Sequence, residues 1–259
     1  MNKNMVVSVN PHIYASQTTQ TIMRDVLIAL FPAVIASIVF FGIQALLVEV
    51  VCVAVAVLCE WAFEKITKRT CTITDLSAAV TGLILALNLP ASIPLWQAAF
   101  GSFVAIVVVK QFFGGIGQNF ANPAITARVI MLVAFSGAMT TWHNPAFAGF
   151  AADATTAATP LAVLSGAEGT LPTLAQMFLG ARGGSLGETS CLALLIGGAY
   201  LIYRRVISWH TPVAFMGTVL VLTALLGEQP LYQVMAGGLF LGAIFMATDY
   251  TTSPPTPAG

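Results

Sequence analysis

The sequence predicts an all-α polytopic membrane protein, and two observations support this prediction. First, 58% of the 259 residues are hydrophobic and only 8% are charged, whereas a soluble domain carries about 25% charged residues. Second, apolar stretches follow one another closely, and each membrane-spanning helix needs about 20 mostly apolar residues. Ten Lys and Arg residues balance ten Asp and Glu residues, so no basic face remains for nucleic acid.

Eight apolar windows predict eight spans. They cover residues 26–44, 45–63, 75–89, 94–110, 123–140, 187–203, 211–227 and 231–248. Positive charge is enriched in cytoplasmic loops, so the basic residues predict the orientation. If the N-terminus is cytoplasmic, Arg182 lies outside and eight basic residues lie inside. These eight are Lys3, Arg24, Lys65, Lys68, Arg69, Lys110, Arg204 and Arg205.

Spans three and eight end in a way that predicts an inverted repeat. Span three runs into Leu87-Asn88-Leu89-Pro90, and span eight runs into Thr248-Asp249 with two prolines soon after. In the predicted topology these two breaks have opposite orientation, as an inverted repeat requires. Irregular backbone at membrane depth persists only where it is buried or lines a cavity, so both breaks are candidate site elements. Simple helix ends at the interface remain the alternative.

The repeat divides the chain into three parts. Residues 1–140 form a first membrane repeat of about five spans, 141–186 form an outer loop, and 187–259 form a second repeat with about three spans. Since spans four and five of the first repeat have no counterpart in the second repeat, we expect this chain to be incomplete at its C-terminus. A loop as long as 141–186 is usually functional.

The polar linker before span five is a candidate ligand-binding turn. Gly114 and Gly115 allow a ligand close to the backbone, and Asn119 and Asn122 offer amide donors and acceptors. No strand precedes the linker, so it does not fit a dinucleotide fingerprint. Arg128 places a charge in span five, where a charge is costly. This indicates either a nearby anion or, equally, a side chain that extends to the inner membrane–water interface.

Four acidic residues are candidates for a cation path. Glu49, Glu60 and Glu64 share one stripe of span two, but they lie near its ends, which favours interface anchoring. Asp249 lies in the broken end of span eight among threonines. Carboxylate, hydroxyl and freed carbonyl oxygens suit a small cation, so Asp249 is a candidate for a Na⁺ path.

Several separated motifs together resemble one known family. The outer segment contains Asp153-Ala-Thr-Thr156-Ala157-Ala158-Thr159-Pro, which resembles the Ser/Thr-Gly-Ala-Thr flavinylation motif. PHIYASQTTQTIMRDVLIALFPA at 11–33, FFGGIGQNFANPA at 112–124 and MATDYTTSP at 246–254 are similar to blocks of the RnfD/NqrB family. These proteins are the membrane flavin subunits of the Rnf and sodium-pumping NADH:quinone oxidoreductase complexes, and the resemblance covers the whole chain.

The resemblance implies two flavins. The last threonine of the motif, Thr159, would carry FMN through a phosphoester bond, and Thr156, Ala157 and Ala158 would complete the recognised sequence. Ala157 stands where the motif has glycine, while the acceptor hydroxyl and its small neighbours are kept. A second, noncovalent riboflavin is expected near the turn of Gly114, Gly115, Asn119 and Asn122 or the broken helices.

The resemblance also implies an electron-transfer subunit of a ferredoxin:NAD oxidoreductase complex that translocates Na⁺ or H⁺. The chain lacks iron–sulfur cysteine motifs, so it is not catalytic alone. Expected partners are RnfA, RnfB, RnfC, RnfE and RnfG-like subunits, notably the other covalent-FMN subunit, and a flavin transferase for maturation. The expected location is the bacterial or archaeal cytoplasmic membrane, with the Thr159 loop on the outer side.

Two alternatives stay open. The inverted repeat with broken helices is similar to the urea-transporter architecture, so a channel or transporter without a redox role is one of them. A structural subunit without its own cofactor is the other. Fold analogy alone does not decide between these functions.

Overall fold

The computed structural model describes residues 18–143 and 158–250, and its regular elements are helical. The first half contains α1 (Thr19–Phe41), α2 (Ile43–Ile66), α3 (Ser77–Leu87), α4 (Leu95–Phe103), α5 (Pro123–Ala134) and α6 (Ser136–Met139). The second half contains α7 (Pro160–Leu164), α8 (Leu174–Leu179), α9 (Cys191–Tyr203), α10 (His210–Leu225), α11 (Pro230–Met235) and α12 (Leu239–Leu241). Two π-helical stretches, Val104–Gln111 and Gly242–Met246, continue α4 and α12.

The helices confirm the predicted all-α membrane architecture. Among the described residues, α1 and α2 are long and apolar enough to cross a bilayer, with mean hydropathies of 2.1 and 2.3. Five shorter apolar helices follow them. Each of the eight predicted windows overlaps helical structure, although the last is divided among three short segments. The inverted repeat and the three-part division of the chain stay predictions.

Glycines allow the helices to approach one another closely. A Cβ atom on Gly82 of α3 would lie 2.8 Å from the Cys52 carbonyl oxygen of α2. A Cβ atom on Gly197 of α9 would overlap the Ala29 carbonyl oxygen of α1. Small residues at helix contacts are typical of membrane bundles, where close backbone packing replaces the hydrophobic effect as the source of association.

One end of the bundle collects the basic residues, and we call it the basic end. It is formed by the start of α1, the end of α2, the end of the α4 π-helical extension and the end of α9. The Arg69 guanidinium donates to the Gln111 carbonyl oxygen at 3.3 Å, which joins two of these ends. Arg204 donates to the Asp25 carboxylate at 3.1 Å, which joins the other two. This clustering agrees with the predicted cytoplasmic side, but sidedness itself stays a prediction.

The opposite end contains the break after α3. The Leu186 and Gly187 N–H groups donate to the carbonyl oxygens of Leu89 and Leu87, at 3.0 and 2.7 Å. A Cβ atom on Gly187 would lie only 2.7 Å from the Leu87 Cβ. The broken end of α3 is therefore closed by backbone from the second half of the chain, as expected for irregular backbone inside a membrane protein.

A pair of glycine substitutions tests the close packing. We expect Gly197→Ala to destabilise the protein by about 2 kcal/mol or more, because overpacking forces the helices apart. Gly217→Ala on α10 is the matched control, since a Cβ atom there meets nothing within 4 Å. This control gains helix propensity worth up to about 1 kcal/mol. The measurement is thermal unfolding in detergent, and equal midpoints for the two variants would contradict the packing.

Candidate functional site

A cavity at the basic end is lined by residues from both halves of the chain. It has a volume of about 780 Å³ when the part open to solvent is included. Most of its lining residues are apolar. Many of these come from α1, α3, α9 and the π-helical stretch Gly242–Met246. Its polar lining consists of Ser77, Thr81, Lys110, Asn119, Asn122, Thr248, Asp249 and Tyr250. A mostly apolar cavity with a few convergent polar groups is the usual form of a cofactor site.

Asn122 joins the turn before α5 to the chain that follows the π-helical stretch Gly242–Met246. Its Oδ1 accepts hydrogen bonds from the N–H groups of Ala124 and Ile125, at 3.1 and 3.3 Å, so it caps α5. Pro123 occupies the first position of the helix, where its missing N–H costs nothing. The Asn122 Nδ2 then donates to the Asp249 carboxylate at 3.3 Å. Two candidates that the sequence placed in separate motifs therefore meet in one cavity.

Asn119 presents a polar atom that the described residues leave unsatisfied. Its Oδ1 is buried and accepts no hydrogen bond within the described part of the chain. An unsatisfied buried acceptor costs about 1–3 kcal/mol. Gly114 and Gly115, with φ of 117° and 100°, form the turn that precedes it. A ligand donor in the cavity would satisfy this oxygen.

Three sequence-predicted residues do not line the cavity. Gly114 and Gly115 shape the turn through positive φ, but neither contributes to the cavity wall. Arg128 is half-buried on α5 and also lies outside the lining. Of the candidates in this region, Asn119, Asn122 and Asp249 are the residues that face the cavity.

A buried ion pair stands at the wall of the cavity. The Lys110 ammonium donates to Glu60 Oε1 at 2.5 Å and to the Ser77 hydroxyl at 2.5 Å. Gln111 Nε2 donates to the same Glu60 oxygen at 2.8 Å. Lys110 and Glu60 are 2% and 0% exposed. This cluster connects α2, α3 and the end of the α4 extension around one carboxylate.

The preference for interface anchoring of the acidic stripe is wrong. Glu49, Glu60 and Glu64 are all buried, and each is hydrogen-bonded to a side chain outside α2. The Glu64 carboxylate accepts from the Thr72 N–H at 3.1 Å and also from the Thr72 hydroxyl. Distance from the helix end was a poor guide, because neighbouring helices cover this stripe along its whole length.

Thr159 is the N-cap of α7. Its Oγ1 accepts a hydrogen bond from the Ala162 N–H at 3.2 Å. Ala158 beside it is exposed, while Thr156 and Ala157 lie outside the described residues. Leu161 packs against Gly237, where a Cβ atom would lie 3.0 Å from the Leu161 Cδ1. This contact fixes α7 next to the link between α11 and α12.

The segment before α9 contains functional groups that the sequence did not reveal. Arg182 is 3% exposed and donates from Nε to the Thr189 carbonyl oxygen at 3.4 Å and from Nη2 to the Glu188 carbonyl oxygen. Burial lowers the pKa of the Arg182 guanidinium from its ordinary value. Ser185 donates to the Glu188 carboxylate at 2.9 Å. In the sequence, the glycines around this segment were the one indication of its close packing, because they permit the contact with Leu87.

The position of α7 follows from these contacts. Gly238, next to Gly237, lies beside the Glu188 carboxylate, and Gly187 lies against Leu87 at the break after α3. Leu161 is therefore connected to the end of the bundle that is opposite the basic end. Thr159 and the cavity with Asn122 and Asp249 lie at different ends of the molecule.

An apolar helical bundle that buries polar side chains at its helix breaks defines a polytopic membrane protein. The chain belongs to the NQR2, RnfD, RnfE family, whose model matches residues 6–259. It is 45% identical over 99% of its length to the D subunit of the Na⁺-translocating ferredoxin:NAD⁺ oxidoreductase complex of Acetobacterium woodii, covering 80% of that protein. It is 42% identical over 100% of its length to the D subunit of the proton-translocating ferredoxin:NAD⁺ oxidoreductase complex of Clostridium ljungdahlii, covering 83% of it. The D subunit of an ion-translocating oxidoreductase complex of Halorhodospira halophila is 37% identical over 96% of the chain and is covered to 80%.

A double-mutant cycle tests the buried ion pair. We expect Lys110→Met to destabilise the protein by about 3 kcal/mol, because it leaves the Glu60 carboxylate buried without its counter-charge. Lys110→Met combined with Glu60→Gln should recover part of this loss, since no unpaired charge remains. Lys68→Met, at an exposed lysine of the same end, is the control and should have little effect. Losses in the double variant that equal the sum of the single losses would contradict the pairing.

Proposed function

We propose that this chain is an electron-carrying D subunit of an ion-translocating ferredoxin:NAD⁺ oxidoreductase complex. The observation that carries the proposal is its similarity, over almost the whole chain, to D subunits named for such complexes in two organisms. One of those complexes is named as Na⁺-translocating and the other as proton-translocating. The proposal therefore covers translocation of Na⁺ or H⁺ and leaves the choice of ion open.

Within that complex this chain carries electrons between partner subunits and does not catalyse the overall reaction alone. Its four cysteines are dispersed at Cys52, Cys59, Cys71 and Cys191, whereas an iron–sulfur cluster is held by closely spaced cysteines. In this proposal the partner subunits bind ferredoxin and NAD⁺. These partners are RnfA, RnfB, RnfC, RnfE and RnfG-like subunits. The chain resides with them in the cytoplasmic membrane of a bacterium or archaeon, with its N-terminus inside.

The proposed redox group is FMN joined to Thr159 by a phosphoester bond. Thr159 keeps the required hydroxyl, its oxygen is held in place by the Ala162 N–H, and its neighbour Ala158 is exposed. These features support access by a flavin transferase. A flavin accepts two electrons and passes them on one at a time, while the protein sets its position and potential. The connection of α7 to the end opposite the basic end supports an outer location.

A noncovalent riboflavin is proposed for the cavity at the basic end. The unsatisfied Asn119 Oδ1 fits this group, because the flavin imide N–H and the ribityl hydroxyls are hydrogen-bond donors. Asn122 and Asp249 provide further polar contacts on the same wall. Asp249 is also proposed to contribute a carboxylate to the ion path, since oxygen ligands suit Na⁺.

Substitution at Thr159 tests covalent attachment. Thr159→Asn removes the acceptor hydroxyl but keeps a residue that caps helices well. We expect it to abolish the flavin fluorescence that stays with the denatured chain on a gel. The chain should still reach the membrane in normal amount, because the cap of α7 is preserved.

Thr173→Val is the matched control for the loss of a cap. Thr173 caps α8 in the same segment, and its Oγ1 accepts from the Gln176 N–H at 3.3 Å. This variant loses a cap worth about 1 kcal/mol but should keep its fluorescence. Fluorescence that persists in Thr159→Asn, or that disappears in both variants, would argue against Thr159 as the attachment residue.

A second pair of variants separates the two roles proposed for the cavity. Asn119→Leu should lower the riboflavin that acid extracts from the purified complex, because the acceptor is replaced by an apolar group. Asp249→Asn should keep most of this riboflavin and lower ion transport into membrane vesicles. Covalent FMN should be unchanged in both variants. Full riboflavin content in Asn119→Leu would remove the cavity as its site.

A further inference from the structure

A buried carboxyl in the half of the bundle away from the basic end has no role in the functions proposed above. Glu49 on α2 is 3% exposed. It lies about 9 Å along the helix axis from the start of α2 at Ile43. Ser37 of α1 is fully buried beside it, and the Ser37 Oγ lies 2.5 Å from Glu49 Oε1.

The hydrogen bonds of Ser37 indicate the protonation state of Glu49. The Ser37 Oγ also lies 2.7 Å from the Val34 carbonyl oxygen, which can only accept. A hydroxyl carries one hydrogen, and serine in a helix commonly donates it back to the preceding turn. Once that hydrogen is given to Val34, the hydrogen between Ser37 and Glu49 must come from the carboxyl group. This arrangement favours a neutral carboxylic acid at Glu49.

The surroundings of Glu49 provide no opposite charge. In residues 18–143 and 158–250 the ion pairs join Lys110 to Glu60 and Arg204 to Asp25, and neither includes Glu49. The charged groups of α1, Arg24 and Asp25, lie at the basic end, and α3 and α4 contain no ionisable side chain. The nearby titratable group is the Cys52 thiol, which donates to the Ala98 carbonyl oxygen at 3.8 Å. An unpaired carboxylate here would cost several kcal/mol, so the environment also favours the neutral acid.

Glu49 forms part of a groove on the outer surface of the bundle. Glu49 lines a groove between α1 and α2 whose other walls are apolar, among them Leu27, Val34 and Val50. The groove is open to the lipid side, where Phe31 is 60% exposed. Glu49 Oε2 is buried and has no hydrogen-bond partner in the described part of the chain. Such an oxygen can accept a hydrogen bond from a donor that enters the groove.

We propose that Glu49 and Ser37 form a proton-binding site inside the membrane, and that its carboxyl group is reached through the groove between α1 and α2. Ser37 holds the protonated form by accepting its hydrogen, and the apolar walls of the groove disfavour the ionised form. The ligand of this site is a proton, in contrast to the Glu60 site, where the carboxylate is paired with the Lys110 ammonium. The site does not depend on the attachment of FMN at Thr159 or on riboflavin in the cavity.

Labelling with dicyclohexylcarbodiimide in native membranes tests the site. This apolar reagent adds to protonated carboxyl groups in the membrane, and the adduct increases the mass of the peptide by the mass of the reagent. We expect the adduct on Glu49. Glu60 is the control within the same helix, because it is equally buried but ion-paired, and we expect no adduct there. Absence of label on Glu49, or equal label on both residues, would overturn the proposal.

Infrared spectroscopy tests the protonation state without any reagent. The purified complex should show the carbonyl band of a neutral carboxyl group at neutral pH, and Glu49→Gln should lose this band. Glu49→Gln keeps the size and the hydrogen-bonding capacity of the side chain, so covalent FMN should remain at its normal level. A spectrum in which the variant differs from the wild type by a carboxylate band instead would show that Glu49 is ionised and would refute the site.

Discussion

Inside a bilayer, every backbone N–H and C=O group needs a partner within the protein, and the break after α3 shows how this chain meets that requirement. The carbonyl oxygens of Leu87 and Leu89 have lost the regular ladder of a helix, and the N–H groups of Gly187 and Leu186 satisfy them. An unsatisfied group at that depth would cost several kcal/mol. The two halves of the chain are thereby joined at one end, and the segment that leads into α9 has to be buried.

The same requirement determines where the polar side chains lie. At the basic end Asn122 caps α5 and also donates to Asp249, so a single amide closes a helix start and a helix break. At the opposite end Arg182 satisfies the carbonyl oxygens of Glu188 and Thr189. The proposed ligand sites lie near such places, because irregular backbone brings polar groups together in an apolar surrounding. The contact of Leu161 with Gly237 connects Thr159 to the end opposite the cavity, and this separation suits the proposed transfer of electrons across the membrane.

Local signals in the sequence predicted much of this arrangement. The apolar windows predicted the helices, including the start of α5 at residue 123, because such windows depend on neighbouring residues. The Lys110–Glu60 and Arg204–Asp25 pairs were not predicted, since their members are distant in the chain and no pattern shows which helices touch. Glu49 was misread for the same reason: its position along α2 was readable, but Ser37 on α1 was not. The Thr159 assignment came from resemblance and not from the spacing of residues.

The central claim is that this chain carries a covalent flavin at Thr159, and peptide mass spectrometry of the native protein across residues 140–182 tests it most directly. The expected result is a mass increment equal to FMN minus water on the peptide that contains Thr159, with fragment ions that assign it to that residue. An unmodified peptide, from cells that contain an active flavin transferase, would contradict the claim. In that case the broken helices would become the place to search for a transported substrate.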